Sequence, residues 1–196
     1  MAQMLMDDDK ALLAALQRHD PAALDALIET HGTRLLRSAT LLSGNETNAQ
    51  DLVQDTFVEA LRSLHRFRGQ SSLYTWLHSI LLNLTRHHHR DNRRLIYDNE
   101  LAAQDTSVAE EQPVSLDLEI AATELTRALR QLSDPHREVL VLRYYEHMKI
   151  DEIAQYLGIS TGTVKSRLHY AVREMQKLFR AEMNLFGAGG TKEKKI

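Results

Sequence analysis

Three groups of polar side chains in this sequence have types and spacings that could do chemistry. Asp51 and Asp55 lie four residues apart, so a helix would place both carboxylates on one face, as an acid–base pair requires. Three consecutive histidines at positions 87–89 offer metal ligands. Residues 165–173 carry hydroxyl, imidazole, ammonium and guanidinium groups, which suit the base edges and phosphates of DNA.

The sequence favours the DNA-binding interpretation over an enzyme. Adjacent residues of a helix point about 100° apart, so three histidines in a row cannot converge on one ion. No nucleophile or glycine-rich phosphate loop accompanies the two aspartates. We therefore expect no catalysis, metal, cofactor or small-molecule substrate. A metal-dependent helical enzyme stays an alternative, which bound metal in the purified protein would reveal.

The composition is that of an ordinary globular protein and favours helices. Of the 196 residues, 43% are apolar and 26% are charged, while only 8 glycines and 3 prolines punctuate the chain. The lack of cysteine excludes disulfides and thiolate metal sites and suits a reducing compartment. No apolar run approaches the roughly 20 residues of a membrane span, and the acidic N-terminus is unlike a signal peptide. We expect an all-α, cytoplasmic protein.

The net charge of −3 conceals strong segregation along the chain. Residues 1–60 sum to −6, residues 61–96 to +6, residues 97–124 to −8 and residues 125–196 to +5. Two basic blocks separated by an acidic one predict two contact surfaces for a polyanion. The acidic block lacks apolar periodicity and predicts a flexible linker, because it cannot bury enough surface to offset its ordering entropy.

Helix signals divide the chain into two small helical domains. Asp20 and Pro21 begin one helix and Gly44 ends it, while Thr47 and Gln50 fit a capping box for the next. A further helix is expected from position 73, and Asp134–Pro135 repeats the first start signal. The predicted divisions are a first domain at 1–96, a linker at 97–117, a second domain at 118–186 and a frayed tail at 187–196.

The strongest local pattern is a helix-turn-helix. Positions 150–157 form a short helix, Gly158 permits the positive φ of the turn, and a second helix starts at Thr161. The small Ala154 lies where the two helices cross. The residues expected to be buried in the second helix are Val164, Leu168, Ala171, Val172, Met175 and Phe179. Its opposite face, and the amides at its N-terminus, would then meet DNA.

The helix from position 73 combines aromatic residues at its start with a cationic end. Cationic side chains follow phosphates, and aromatic rings give unstacked bases a surface worth about 1–3 kcal/mol each. The polar loop before it could accept an extruded base. Trp76 lies on the apolar stripe of the helix and is expected to be buried or half-buried, whereas Tyr74 is expected to be functional.

Two segments carry a resemblance to a known family. They are DLVQDTFVEALRSLHRFRGQSSLYTWL and LSDPHREVLVLRYYEHMKIDEIAQYLGISTGTVKSRLHYAVREMQKL, separated by the acidic block. In order and spacing they resemble bacterial RNA polymerase sigma factors of the sigma-70 family, in its extracytoplasmic-function (ECF, group 4) branch. The resemblance spans about residues 10–185. It implies a protein that binds core RNA polymerase, selects promoters through −35 and −10 elements and promotes DNA melting.

The resemblance also implies roles for individual residues. Those that would dock on the polymerase β′ clamp are Asp51, Gln54, Asp55 and Phe57. Those that would bind the −10 element are Gly69, Gln70, Ser71, Ser72, Tyr74, Trp76, Asn83, Arg86 and Arg90. Those that would bind the −35 element are Thr161, Thr163, Lys165, Ser166, His169, Tyr170 and Arg173. Residues 140–145 would meet the β flap. Gln70 stands where many members have Asp, which leaves the −10 base preference open.

The family implies an anti-sigma protein as a further partner. Its members' linker passes through the RNA exit path, where negative charge mimics nucleic acid. The alternative function is an autonomous helix-turn-helix regulator. Such proteins usually dimerise to bind two half-sites, and the sequence beyond the second domain contains no heptad seam.

Overall fold

A computed structural model describes most of the chain. The backbone is described for residues 2–18, 20–99 and 124–187. Side chains are described for residues 9, 11–18, 20–91 and 124–180. All regular structure within these ranges is helical, which confirms the all-α prediction.

The chain divides into two compact units, residues 1–112 and 113–196. The division falls inside the predicted linker, most of which lies outside the described residues, as does all of the predicted tail except Gly187. The finer domain boundaries therefore stay predictions. Each unit is described by itself below.

The first unit is a helical bundle whose described elements lead into one another through short connections. They are α1 (Ala2–Gln17), α2 (Pro21–Ser43), α3 (Glu46–Ser63), a 3-10 turn (Leu64–Arg66) and α4 (Leu73–Asn99). All four helices contribute to its core, in which Leu35, Leu77 and Leu81 are fully buried. Their spacing puts one apolar stripe of each helix inward.

Local signals fix where α2 begins and ends. The Asp20 carboxylate accepts the Ala22 N–H at 3.0 Å, and Pro21 occupies the first turn. Gly44 ends the helix at φ +73° and donates its N–H to the Thr40 carbonyl at 2.8 Å. Both expectations are confirmed.

The capping box predicted at Thr47 and Gln50 is wrong. Asn45 caps α3 instead, and its side chain accepts the Asn48 N–H at 3.2 Å. Asn is as good an N-cap as Thr. It comes two residues earlier, directly after the turn at Gly44, so the helix starts there.

Two helical segments exceed the sequence expectation. The sequence signals gave no helix for α1, yet it starts at Ala2, and Leu16 lies in the core at 4% exposure. The α4 helix runs to Asn99, so the first three positions assigned to the linker are helical. Neither the end of α1 nor the end of α4 is followed directly by Gly or Pro, so the sequence specifies both boundaries only weakly.

The second unit contains the helix-turn-helix. Its described elements are α5 (124–130), α6 (Asp134–Leu140), a π-helical turn (Val141–Tyr145), α7 (Ile150–Leu157) and α8 (Thr161–Gly187). Val139, Leu142, Ile153 and Val164 form its core with almost no exposure. The α6 helix starts one residue earlier than expected, with Ser133 as N-cap and Pro135 in the first turn.

A buried arginine joins α5 to α6. The guanidinium of Arg137, whose residue is 5% exposed, donates to the carbonyls of Leu129, Arg130 and Leu132 at 2.8, 3.2 and 3.0 Å. Asp134 lies 3.7 Å away and balances part of its charge. Two of these carbonyls, those of Leu129 and Arg130, belong to the last turn of α5, so the bonds tie α6 to this end of the helix.

Candidate nucleic-acid interface

The turn between α7 and α8 has the geometry that the sequence predicts. Gly158 adopts φ +67°, and the next N–H, that of Ile159, bonds to the Ala154 carbonyl at 3.0 Å. Ala154 is buried between the helices, and Ile159 packs on the same core. This arrangement fixes the direction in which α8 leaves the unit.

The N-terminus of α8 is capped by a local hydroxyl. Ser160 Oγ accepts the Thr163 N–H at 3.0 Å and lies 2.8 Å from Thr163 Oγ1. The Thr163 amide is therefore already bonded within the chain. Of the first three amides of α8, those of Thr161, Gly162 and Thr163, only the third is bonded to a side chain among the described residues.

One face of α8 presents the polar residues expected to meet the −35 element. Its exposed members are Thr161, Lys165, Ser166, His169, Tyr170 and Arg173, whereas Thr163 is half-buried. Tyr170 is 55% exposed. The opposite side buries Val164 and Ala171 and half-buries Leu168, Val172 and Met175. Phe179, expected in the core, is 37% exposed, since the buried positions among the described residues of α8 end at Ala171.

An aromatic cluster extends this face towards α6. The Tyr170 ring meets His169 edge-on at 5.7 Å and stacks on His136 at 6.4 Å with an interplanar angle of 26°. His136 belongs to the first turn of α6. The sequence analysis did not single it out, because the contact joins residues 34 positions apart that no shared motif connects.

The polar loop in front of α4 is open to solvent. Gly69, at φ +69°, and its neighbours Gln70, Ser71 and Ser72 are all exposed. Ser72 caps α4, since its hydroxyl accepts the Thr75 N–H at 3.1 Å. The Ser71 hydroxyl donates to the Ser72 carbonyl at 3.2 Å. The chain thus presents a short polar segment whose C-terminal end is held by a helix cap.

Four of the α4 residues assigned to the −10 element share one stripe. At about 100° per residue, Trp76, Asn83, Arg86 and Arg90 fall within a narrow sector of the helix surface. Asn83, Arg86 and Arg90 are exposed. Trp76 is half-buried, as expected, with its ring 5.0 Å from that of Phe67.

Tyr74 lies on the other side of α4 from this stripe. It is half-buried against α2, where the Arg34 guanidinium lies 3.9 Å above the ring centroid and the His31 ring lies 6.0 Å away. The structure therefore does not bring Tyr74 together with the other α4 residues assigned to the −10 element. Tyr74 was expected to be functional and Trp76 to be buried or half-buried, and both are half-buried.

A buried polar cluster lies behind Tyr74. His78 Nε2 bonds to Ser38 Oγ at 2.8 Å, with both residues buried. His31 is 8% exposed, and its Nε2 has no hydrogen-bond partner among the residues that the structure describes. Burial lowers the pKa of His31 below its usual 6.5, opposed by the Asp9 carboxylate and reinforced by the Arg34 guanidinium.

The face of α3 assigned to the polymerase is only partly available. Asp51, Gln54 and Asp55 are exposed on adjacent turns. Phe57 is 7% exposed and belongs to the core of the first unit, so it supports the helix from behind. Only the family resemblance assigned Phe57 to the polymerase contact, and its position on the apolar stripe with Val53 and Ala60 indicates the core.

Among the described residues, the three consecutive histidines at 87–89 belong to no group of metal ligands. His87 is bonded to Arg90, and the His88 and His89 rings are tilted against each other at 6.2 Å. Among the residues with described side chains, no group of three potential ligands converges. Within the same residues, no helix is both long and apolar enough to cross a membrane.

Comparison with known proteins accounts for both units. Residues 27–95 match the family model "Sigma-70 region 2", and residues 122–175 match "Sigma-70, region 4". The ECF RNA polymerase sigma factor SigL of Mycobacterium tuberculosis is 34% identical over 80% of this chain and 89% of its own length. This chain belongs to the ECF RNA polymerase sigma factors. The region 2 match distinguishes it from an autonomous helix-turn-helix regulator, because such a protein would be similar to sigma factors only in the second unit.

Other sigma factors are similar along most of the chain. RNA polymerase sigma-H factor of Pseudomonas aeruginosa is 28% identical over 89% of this sigma factor and 95% of its own length. The solved structure of sigma factor RpoE with the anti-sigma factor NepR, from Bartonella quintana, is similar with a TM-score of 0.65. It is 29% identical and covers 80% of this chain and 96% of the solved one.

Proposed function

We propose that this sigma factor binds core RNA polymerase, directs it to promoters through −35 and −10 elements, and promotes opening of the −10 DNA. The observation that carries the proposal is the pairing of two units, each of which matches a sigma-70 region and presents its own polar or cationic face. The protein is a transcription initiation factor, and its own residues perform no covalent chemistry.

The −35 element would lie against α8. Lys165, His169 and Arg173 are exposed along one side of the helix, so they can reach both phosphates and base edges in a major groove. Tyr170 adds an apolar surface suited to a thymine methyl group. The half-buried core residues behind them hold the helix in place during the contact.

The −10 element would be opened by the loop and the exposed stripe of α4. Gln70 and Ser71 offer hydrogen-bonding groups to an extruded base, and Arg86 and Arg90 offer charge to the backbone of the same strand. Binding of unpaired bases lowers the free energy of the open DNA and not that of the closed duplex. The equilibrium between them therefore shifts towards melting. Neither nucleotide hydrolysis nor a cofactor is required from this chain.

The polymerase contacts would come from both units. The carboxylates of Asp51 and Asp55 on α3 suit a basic partner surface such as the β′ clamp is expected to provide. In the second unit, Tyr144 is 62% exposed at the π-helical turn, while Val141 and Leu142 beside it are buried. Tyr144 is therefore the residue of this segment best placed to meet the β flap.

Separate weak contacts become one firm contact when the polymerase holds both units. A second contact made within one complex has an effective concentration set by the tether, which raises the overall affinity without any new interaction. The acidic linker would supply this tether and follow the RNA exit path. An anti-sigma protein, present in the solved complex of RpoE with NepR, would compete for the same surfaces. Initiation of transcription with core RNA polymerase would take place in the cytoplasm.

Run-off transcription tests the proposal. Core RNA polymerase with this protein should transcribe a subset of genomic fragments that core polymerase alone leaves silent. The start sites would then identify the shared −35 and −10 elements. An identical set of transcripts with and without the protein would contradict the proposal, and so would selective transcription that depends on the second unit alone.

A further inference from the structure

The N-terminal helix reaches across the first unit to the start of α4. Asp9 Oδ2, in α1, accepts the N–H of Leu73 at 3.1 Å. Leu73 is the first residue of α4 and follows directly on the polar loop at 69–72. The two partners are 64 positions apart in the chain, so this bond is a tertiary contact and not a local cap.

The bond adds to the capping of α4. The first N–H groups of a helix have no partners within the helix and need side chains or water. Ser72 satisfies Thr75, one turn into the helix, and Asp9 satisfies Leu73 at its very start. The Leu73 side chain is 1% exposed and packs in the core. Backbone and side chain of this residue are therefore both fixed, and the loop ends at a rigid point.

The other end of the loop is held by side-chain packing, since Phe67 packs on the core of the first unit with its ring 5.0 Å from that of Trp76. Between the two ends the loop has room, because a Cβ added to Gly69 would meet no described atom within 4 Å. The position of Gln70 and Ser71 therefore depends on both ends, and the Asp9 bond holds the backbone of the end at Leu73. A shift of Leu73 would move these two side chains with it.

We propose that Asp9 is a positioning residue for recognition of the −10 element: through the Leu73 amide it fixes the loop that receives the extruded base. This inference rests on the proposed role of the loop in base capture. It assigns a part in promoter recognition to α1, which lies outside the matched region 2 at residues 27–95.

The chain offers a matched control for Asp9. Asp20 makes the same type of bond in the same unit, with its carboxylate accepting the Ala22 N–H at 3.0 Å at the start of α2. Asp20→Ala removes one helix cap and one negative charge, as Asp9→Ala does, but leaves the loop anchor untouched. Asp9→Asn keeps an acceptor for the Leu73 amide and removes only the charge.

The test uses complete holoenzyme, formed from core RNA polymerase and the full-length protein. Its affinity is measured for labelled single-stranded −10 oligonucleotides that carry each of the four bases at the captured position. We expect Asp9→Ala to weaken binding of the preferred oligonucleotide about fivefold, as loss of one cap would predict, and to reduce its advantage over the other three. Asp9→Asn should restore both quantities, and Asp20→Ala should leave them unchanged.

Loss of folding is separated from loss of positioning by two further measurements. Fluorescence of the single tryptophan, Trp76, follows urea unfolding of the first unit, and co-purification follows binding to core polymerase. Comparable unfolding midpoints for Asp9→Ala and Asp20→Ala, with a changed base preference only in the former, support positioning. If Asp9→Ala lost the same affinity for all four oligonucleotides, or lost no affinity, the positioning role of Asp9 would be overturned.

The variant Gln70→Ala keeps this inference distinct from the proposed function. A changed base preference in Gln70→Ala together with normal behaviour of Asp9→Ala would overturn the role of Asp9 alone. Unchanged preference in both variants would overturn base capture by the loop, and the role of Asp9 with it.

Discussion

Two arginines of the second unit show how burial decides what a guanidinium does. Arg173 is exposed on α8, where its charge faces solvent. Arg137 is 5% exposed, and its guanidinium donates to three backbone carbonyls. The first can exchange solvent for a phosphate or a guanine edge, whereas the second is already satisfied within the protein. We propose DNA contact for Arg173, whereas the bonds of Arg137 give it a structural role.

The exposed arginine gives the first prediction. Arg173→Ala should weaken binding of holoenzyme to a −35 duplex by about 1–3 kcal/mol and leave binding to core polymerase intact, because it removes one donor group from the contact face. Fluorescence anisotropy with −35 duplex measures the loss. Arg127→Ala, which removes an exposed arginine from α5, is the control. Equal losses of core affinity and DNA affinity would contradict the assignment.

The buried imidazole of His31 gives a prediction on pH. Its lowered pKa means that the folded protein holds His31 neutral at a pH where the unfolded chain already binds a proton. The first unit should therefore lose stability as the pH falls through 6.5 towards the folded-state pKa. Urea unfolding followed by Trp76 fluorescence measures this change.

A substitution isolates the contribution of His31. The decrease in unfolding free energy between about pH 7.5 and about pH 5.5 should be smaller in His31→Phe than in the parent protein, since Phe binds no proton. His65→Phe replaces an exposed histidine of the same unit and should leave the decrease unchanged. The same pH dependence in all three proteins would rule out His31 as its source.

At the scale of elements, the turn of the helix-turn-helix offers two glycines with opposite requirements. Gly158 needs φ +67°, which an L side chain rarely adopts, although a Cβ there would meet no atom within 4 Å. Gly162 is helical, and its Cβ would meet Ser160 Oγ at 3.6 Å, an ordinary contact. The first is required by backbone conformation, and the second is not.

We predict opposite effects for the two alanine substitutions. Gly158→Ala should destabilise the second unit by about 1 kcal/mol. Gly162→Ala should stabilise it by about 0.5 kcal/mol, because Ala restricts the unfolded chain. Hydrogen exchange of amides in α7 and α8 reports both changes. If both substitutions changed the stability of the second unit by the same amount, the left-handed conformation at Gly158 would not be required.

The outer face of α3 gives a prediction on polymerase docking. Asp51→Arg combined with Asp55→Arg should abolish co-purification with core polymerase, because it reverses the charge of the face, and the fold should survive since both residues are exposed. Asp25→Arg with Glu29→Arg reverses an exposed pair at the same spacing on α2 and serves as control. Normal co-purification of the first double variant would refute the docking face.

The elements that the sequence predicted are those with strong local signals. Asp20–Pro21, Gly44 and Gly158 fix helix ends through side-chain caps or positive φ, and each is where the sequence placed it. Tertiary contacts produced the differences. The Asp9 bond to Leu73 and the stacking of Tyr170 on His136 join distant positions that spacing along one helix cannot relate. On α8 most residues were predicted correctly as exposed or buried, whereas Phe179, expected in the core, is 37% exposed. Among the residues assigned to a contact by resemblance, Phe57 is buried in the core and Tyr74 is half-buried against α2, because each packs on another helix of the first unit.

At the scale of the whole molecule, charge is divided as a two-site DNA-binding protein requires. The basic segments at 61–96 and 125–196 contain most of α4 and all of α8, whereas the segment 97–124, with a net charge of −8, contains no lysine or arginine. An acidic connection repels DNA and leaves contact to the two units. The overall charge of −3 gives little affinity for nucleic acid as such, so firm binding depends on holding both units in place at once.

The most direct test of this account measures promoter opening itself. A promoter identified by run-off transcription is prepared with a fluorescent base analogue in the −10 non-template strand, and its fluorescence is recorded with core polymerase, with this protein, and with both. The account predicts an increase only when both are present. Opening by this protein alone, or opening by core polymerase that the protein does not alter, would contradict it.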